Sequence, residues 1–137
     1  MKVRAMTPSI DSLDHLVLTV RDIDATIAFY SKVLGMQARP FVTATGERRW
    51  SLGFGSQKLN LHQAGAEFEP KAEQPSPGSA DLCFLSATPI RDWVSHLESC
   101  EIPVEDGPVQ RTGATGPIMS VYLRDPDGNL IEVSNRV

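Results

Sequence analysis

A chain of 137 residues, 41% hydrophobic and 22% charged, suits one compact globular domain and excludes a disordered or fibrous polymer. Its net charge of −4 is uneven: residues 1–70 hold 8 Lys/Arg against 7 Asp/Glu, and residues 71–137 hold 5 against 10. Neither half has the basic face that a phosphate backbone requires, so nucleic acid is not an expected partner.

MKVRAMTPSI at the start has basic residues with no apolar stretch behind them. It reads as a tail over residues 1–10 and not as a signal peptide. No apolar run approaches the ~20 residues that span a bilayer, so no membrane partner is expected. Cys83 and Cys100 are the two cysteines; they read as reduced thiols, which makes the cytoplasm the expected compartment.

Residues 12–20 are rich in β-branched and apolar side chains and predict a buried strand. Asp22 and Asp24 offer N-caps for a helix whose apolar positions are Ile23, Ile27, Tyr30 and Leu34, with Gly35 as its stop. Extended segments follow at 37–43, 49–54 and 58–62, the last two joined by Gly55-Ser56-Gln57. Residues 65–78 are polar and proline-rich and read as a linker. The plan then restarts. Residues 81–86 predict a strand, and Thr88 caps a helix bearing Ile90, Trp93, Val94 and Leu97, with His96 on its solvated side. Further strands are expected at 102–109, 119–124 and 129–134. Residues 111–117 read as a flexible loop over a pocket, and Asp125-Pro126-Asp127-Gly128 as the turn of the last hairpin.

The order is βαβββ, linker, βαβββ, which gives an α+β fold with halves at about 11–64 and 79–137 in a single domain over 11–137. A repeat of this length is one of element order and not of residues. Aligning the first strands pairs His15 with Asp81; aligning the last hairpins without a gap pairs His62 with Glu132.

Alternate residues of a half-buried strand share a face. His15 therefore lies with Leu13 and Val17, His62 with Asn60, Asp81 with Cys83 and Leu85, and Glu132 with Leu130 and Ser134. If both halves curl into one concave mixed sheet about a pseudo-two-fold axis, these polar positions meet in a cup. A carboxylate among Leu130, Ile131 and Val133 needs a partner or a metal. His15, His62 and Glu132 form a two-His, one-carboxylate set suited to Fe, Mn, Ni or Zn. Asp81 is either a fourth ligand or a catalytic base.

At these residues the chain resembles the vicinal oxygen chelate superfamily, which includes glyoxalase I, extradiol dioxygenases, fosfomycin-resistance thiol transferases and bleomycin-resistance proteins. Residues 13–20 (LDHLVLTV), 28–36 (AFYSKVLGM) and 122–133 (YLRDPDGNLIEV) carry the likeness. Arg111-Thr112-Gly113-Ala114 and the ending Glu132-Val133-Ser134-Asn135 are similar to the subgroup called glyoxalase domain-containing protein 5 or biphenyl-2,3-diol 1,2-dioxygenase III-related. The resemblance implies a glyoxalase-like fold and metal ligation by His15, His62 and Glu132; Asn60, Arg111 and Tyr122 are expected to contact the substrate. It implies a homodimer, in some relatives with each metal shared between two chains. The implied activity is that of a metal-dependent enzyme on a small substrate with adjacent oxygens, ring cleavage leading. Glyoxalase-type lyase or isomerase chemistry and metal-free sequestration of a drug or metabolite are the alternatives. The fifth strand departs from the pattern, with Asp81 where dioxygenases place a histidine.

Overall fold

The computed structural model describes residues 7–137; the first six residues of the expected tail lie outside them, and residues 7–14 belong to no helix or strand. The first half runs β1 (His15–Val20), α1 (Ile23–Lys32), β2 (Gln37–Val42), β3 (Arg48–Phe54) and β4 (Gln57–Gln63). The second runs β5 (Asp81–Leu85), α2 (Ile90–Ser99), β6 (Asp106–Gly113), β7 (Gly116–Arg124) and β8 (Leu130–Arg136). Each half folds into its own four-stranded sheet, ordered β1-β4-β3-β2 and β5-β8-β7-β6. In both, the first strand runs parallel to the last and the other pairs are antiparallel. The α+β repeat expected from the sequence is therefore the architecture. No helix among the described residues is long and apolar enough to cross a membrane.

Local chemistry explains most element ends. Asp22 accepts a hydrogen bond from the Ala25 amide at 3.0 Å and caps α1, satisfying one of the free donors of the first turn. Gly35 takes φ +70°, and the Met36 amide then turns back to the Tyr30 carbonyl at 3.0 Å. Thr88 does not cap α2. The Ile90 amide is held instead by the side chain of Asn135, 2.7 Å away on β8. His96 is not solvated either: its Nε2 meets the Val33 carbonyl at 2.9 Å, joining α2 to the end of α1. Strand β6 begins four residues later than expected, at Asp106, and the anticipated loop at 111–117 is a β6–β7 hairpin that turns between Gly113 and Gly116.

Both sheets turn one face toward the helices. Val20, Leu52, Leu59 and Leu61 from the first sheet join Val121, Leu123, Ile131 and Val133 from the second in one core with Tyr30 and Leu97. Full burial of each such aliphatic side chain stabilises the fold by roughly 1.5–3 kcal/mol. Phe54 and Phe84 meet edge to face across the two sheets, centroids 5.2 Å apart.

The β7–β8 turn locks the halves together. Asp125 accepts the amides of Asp127 and Asn129, each at 2.9 Å, with one oxygen, and the Tyr30 hydroxyl and the Asn129 side chain, each at 2.7 Å, with the other. Burial and this carboxylate push the Tyr30 hydroxyl pKa upward. Asn129 passes the network on to the Ala80 amide at the end of the linker.

Candidate functional site

Strand alternation leaves each sheet a face without helices. On the first sheet it holds His15, Val17 and Thr19 of β1, Lys58, Asn60 and His62 of β4, and Ser51 of β3. On the second it holds Asp81, Cys83 and Leu85 of β5, Glu132 and Ser134 of β8, and Ser120 and Tyr122 of β7. The face-sharing expected from the sequence is present. The two faces, however, open on different clefts, one lined by Asp14, Ser51 and Lys58 and the other by Cys83, Tyr122 and Glu132.

Register corrects the pairing of the halves. His15 lies beside Lys58 and Asp81 beside Leu130, so the residue equivalent to Glu132 is Asn60 and not His62. Across the hairpins, Ser51 opposes Asn60 and Tyr122 opposes Glu132. The first hairpin closes on Phe54–Gln57 with a two-residue turn and the second on Arg124–Leu130 with a five-residue turn, so an alignment without a gap puts the two out of register. His62 sits beside Thr19, four residues beyond His15's own level, which is ~13 Å along a strand. Two imidazoles that far apart on neighbouring strands do not bind one ion.

Glu132 is held in position. Its Oε2 accepts the Ser120 hydroxyl at 2.6 Å and the Ser134 hydroxyl at 3.5 Å, and the two hydroxyls stand 2.6 Å apart. Cys83 Sγ lies 3.4 Å from Ser134 Oγ; burial first, and then Glu132 and Asp81, push its thiol pKa up. Arg111 donates to the Tyr122 hydroxyl at 3.1 Å and reaches Asp106 at 3.4 Å, with its guanidinium 5.6 Å from the Tyr122 ring centre. Arg111, Tyr122, Cys83 and Glu132 thus line one cleft of about 420 Å³, with Leu85 and Ile118 as its apolar wall. Asp81 is exposed at the start of β5, one alternation from the level of Glu132.

On the other sheet His15 is partly exposed, its Nδ1 2.8 Å from the Asp14 carboxylate. A carboxylate on one ring nitrogen orients the other outward, as metal-ligating histidines require. His62 has the opposite environment. It is buried at 3% exposure, packs edge to face on Phe68 with centroids 5.5 Å apart, and lies under the linker in a cleft that Lys71 also lines. Burial first, then Arg49, lowers its pKa.

One chain therefore does not gather His15, His62 and Glu132. Among the described residues no three His, Cys, Asp or Glu side chains are placed to hold a metal ion. Asn60 stands on the first sheet, away from Arg111 and Tyr122 on the second. The ungapped alignment of the hairpins concealed this, since a longer turn in the second half is what displaces the register.

Residues 12–133 match the family model described as the Glyoxalase/Bleomycin resistance protein/Dioxygenase superfamily. Virulence protein STM3117 of Salmonella typhimurium is 59% identical over 128 residues, 93% of this chain and 86% of that protein. Its crystal structure covers 95% of this chain and 100% of its own at a TM-score of 0.88. The glyoxalase domain-containing protein RDO1 of Mycosarcoma maydis is 57% identical over 93% of this chain and 69% of its own length. The crystal structure of lactoylglutathione lyase from Agrobacterium tumefaciens is similar at 27% identity and a TM-score of 0.68, covering 93% and 96% of the two chains.

Proposed function

Because the chain belongs to the glyoxalase/bleomycin resistance protein/dioxygenase superfamily, we propose that it is a metal-dependent enzyme for a small substrate with adjacent oxygens, with its site completed across a two-fold homodimer. The observation that carries this reading is the division of the donors. His15 is on the outward face of one sheet, Glu132 and Asp81 are on the outward face of the other, and each face opens on its own cleft. Laid against a second copy, the first sheet of one protomer meets the second sheet of its partner. Val17 and Leu85, 45% and 50% exposed beside these donors, then become buried. A two-fold axis repeats the arrangement twice.

The donors suit a divalent ion only in this paired form. His15, oriented by Asp14, would supply a neutral imidazole. Glu132, held through Oε2 by Ser120 and Ser134, would supply a carboxylate, and Asp81 a second carboxylate or a base. His62 is left out of the set because of its place in the register and the cations beside it. Such an ion would hold the substrate's paired oxygens and polarise them. Tyr122 and Arg111 border the Glu132 carboxylate and orient the substrate: Arg111 faces its anionic part, and Leu85 with Ile118 shields its apolar part from water. Asp81, exposed at the start of β5, would take a proton from bound substrate.

Extradiol-type ring cleavage leads, on the likeness to the biphenyl-2,3-diol 1,2-dioxygenase III-related subgroup, with the cytoplasm as the working compartment. The lactoylglutathione lyase relative supports the lyase or isomerase reading as second. Elemental analysis of tag-free protein, followed by turnover assays with catechols and with a hemithioacetal, tests the proposal. Stoichiometric metal with aerobic ring opening supports the lead, and thiol-dependent isomerisation replaces it with the second reading. Protein that takes up no metal overturns both and leaves sequestration.

A further inference from the structure

The end of the first sheet farthest from His15 has unspent chemistry. Among the described residues, three of the four buried side-chain polar atoms without a hydrogen-bond partner lie there: Arg49 Nε, Asn60 Oδ1 and His62 Nε2. Asn60 and His62 are 5% and 3% exposed, and leaving such groups unpaired at burial is unfavourable. Arg49 and His62 each lie one residue beyond the last β3–β4 pair, Trp50–Leu61, and flank one ring: the Arg49 guanidinium lies 4.2 Å from the Phe68 centroid and His62 meets the same ring edge-on. His62 looks into a cleft of about 370 Å³ between the sheet and the linker, walled by Val17, Thr19, Pro70 and Pro75.

The charges in this corner select the ligand. Lys71 is answered by Glu67 and Glu69, each at 3.7 Å. Arg49 has no ion-pair partner among the described residues. One uncompensated guanidinium beside a ring N–H and an amide matches a single negative charge spread over two oxygens in a plane. We propose that Arg49 and His62, with Asn60 beside them, bind the carboxylate of a small organic acid beneath the linker, its carbon chain lying on Pro70 and Pro75. Arg49 Nε donates to one oxygen and His62 Nε2 to the other. The Asn60 amide, turned about its terminal bond, offers its NH₂ group in place of the unpartnered oxygen. The lowered His62 pKa keeps the free ring neutral, so the ligand selects a tautomer and no proton has to be taken up. This site needs neither a metal nor a second chain.

The test is a titration of metal-free, ¹⁵N-labelled protein with sodium acetate, and separately with inorganic phosphate, followed through the His62 imidazole resonances above neutral pH. Acetate is expected to give a saturable shift. Arg49→Met should weaken it by about tenfold or more, the loss of one hydrogen bond to a charged group, and Arg49→Lys should restore part of it. Glu132→Ala should leave it unchanged, which separates failure of this site from failure of the metal reading. The absence of a saturable shift in the unaltered protein, an equal shift in a folded Arg49→Met variant, or preference for phosphate over acetate would overturn the proposal.

Discussion

The outward face of the first sheet is basic and partly roofed, with Arg49, Lys58 and His62 running toward the linker. That of the second carries Asp81 and Glu132 on β5 and β8, with Cys83, Arg111 and Tyr122 lining the same cleft as Glu132. Both come from the same βαβββ plan and the same strand alternation. What differs is the residue at matched register, Asn60 in one half and Glu132 in the other, and the length of the turn before it. A repeated backbone thus offers two equivalent frames, and a few side chains make their outward faces chemically different.

The turns themselves give the largest expected contrast. Asp125→Ala removes a buried acceptor of four hydrogen bonds that joins the halves, and should destabilise the protein by roughly 3 kcal/mol or more. Ser56→Ala in the exposed first turn should stay within about 0.5 kcal/mol of the parent. Thermal unfolding of the two variants compares them directly; similar losses would mean that the second turn is no lock.

Metal uptake should divide the faces next. Glu132→Ala is expected to lower affinity by about 100-fold or more, the scale of losing a ligand rather than a supporting hydrogen bond, while His62→Ala leaves uptake intact. Equal losses in the two would return His62 to the ligand set. A smaller effect should follow from Ser120→Ala, which frees Glu132 Oε2. Affinity should fall by about tenfold and stability by about 1 kcal/mol, measured by competition with a chelator and by denaturant unfolding.

The smallest effect concerns acid. The folded protein holds the His62 pKa below its ordinary value, so the unfolded chain binds a proton that the folded one resists. The stability linked to this residue is therefore present above the unfolded His pKa and is lost as pH falls through it toward the folded value. Replacing His62 by Gln should flatten the stability profile between about pH 7 and pH 5. A profile unchanged by His62→Gln would mean that its neighbours do not disfavour the charged ring.

Local signals in the sequence were enough for the element order, the Asp22 cap, the Gly35 stop and the faces shared by alternate residues, because each depends on residues a few positions apart. Long-range partners hid the rest. Thr88 looks like a cap until Asn135 arrives from β8, and His96 looks solvated until the other half supplies the Val33 carbonyl. The pairing of His62 with Glu132 assumed turns of equal length, and no local pattern reports how five turn residues fold around Asp125. Convergence of the donors assumed that both halves of one chain face each other, whereas their packing is decided by the common core that Tyr30, Leu97 and the two inner sheet faces build.

Mixed dimers test the central claim most directly. His15→Ala and Glu132→Ala chains are each expected to bind no metal alone. A heterodimer of the two unites the intact first sheet of one with the intact second sheet of the other, and should hold about one ion per pair of chains. Recovery of that ion on mixing is the predicted result. Mixed dimers that form and still bind none would contradict a site shared between protomers.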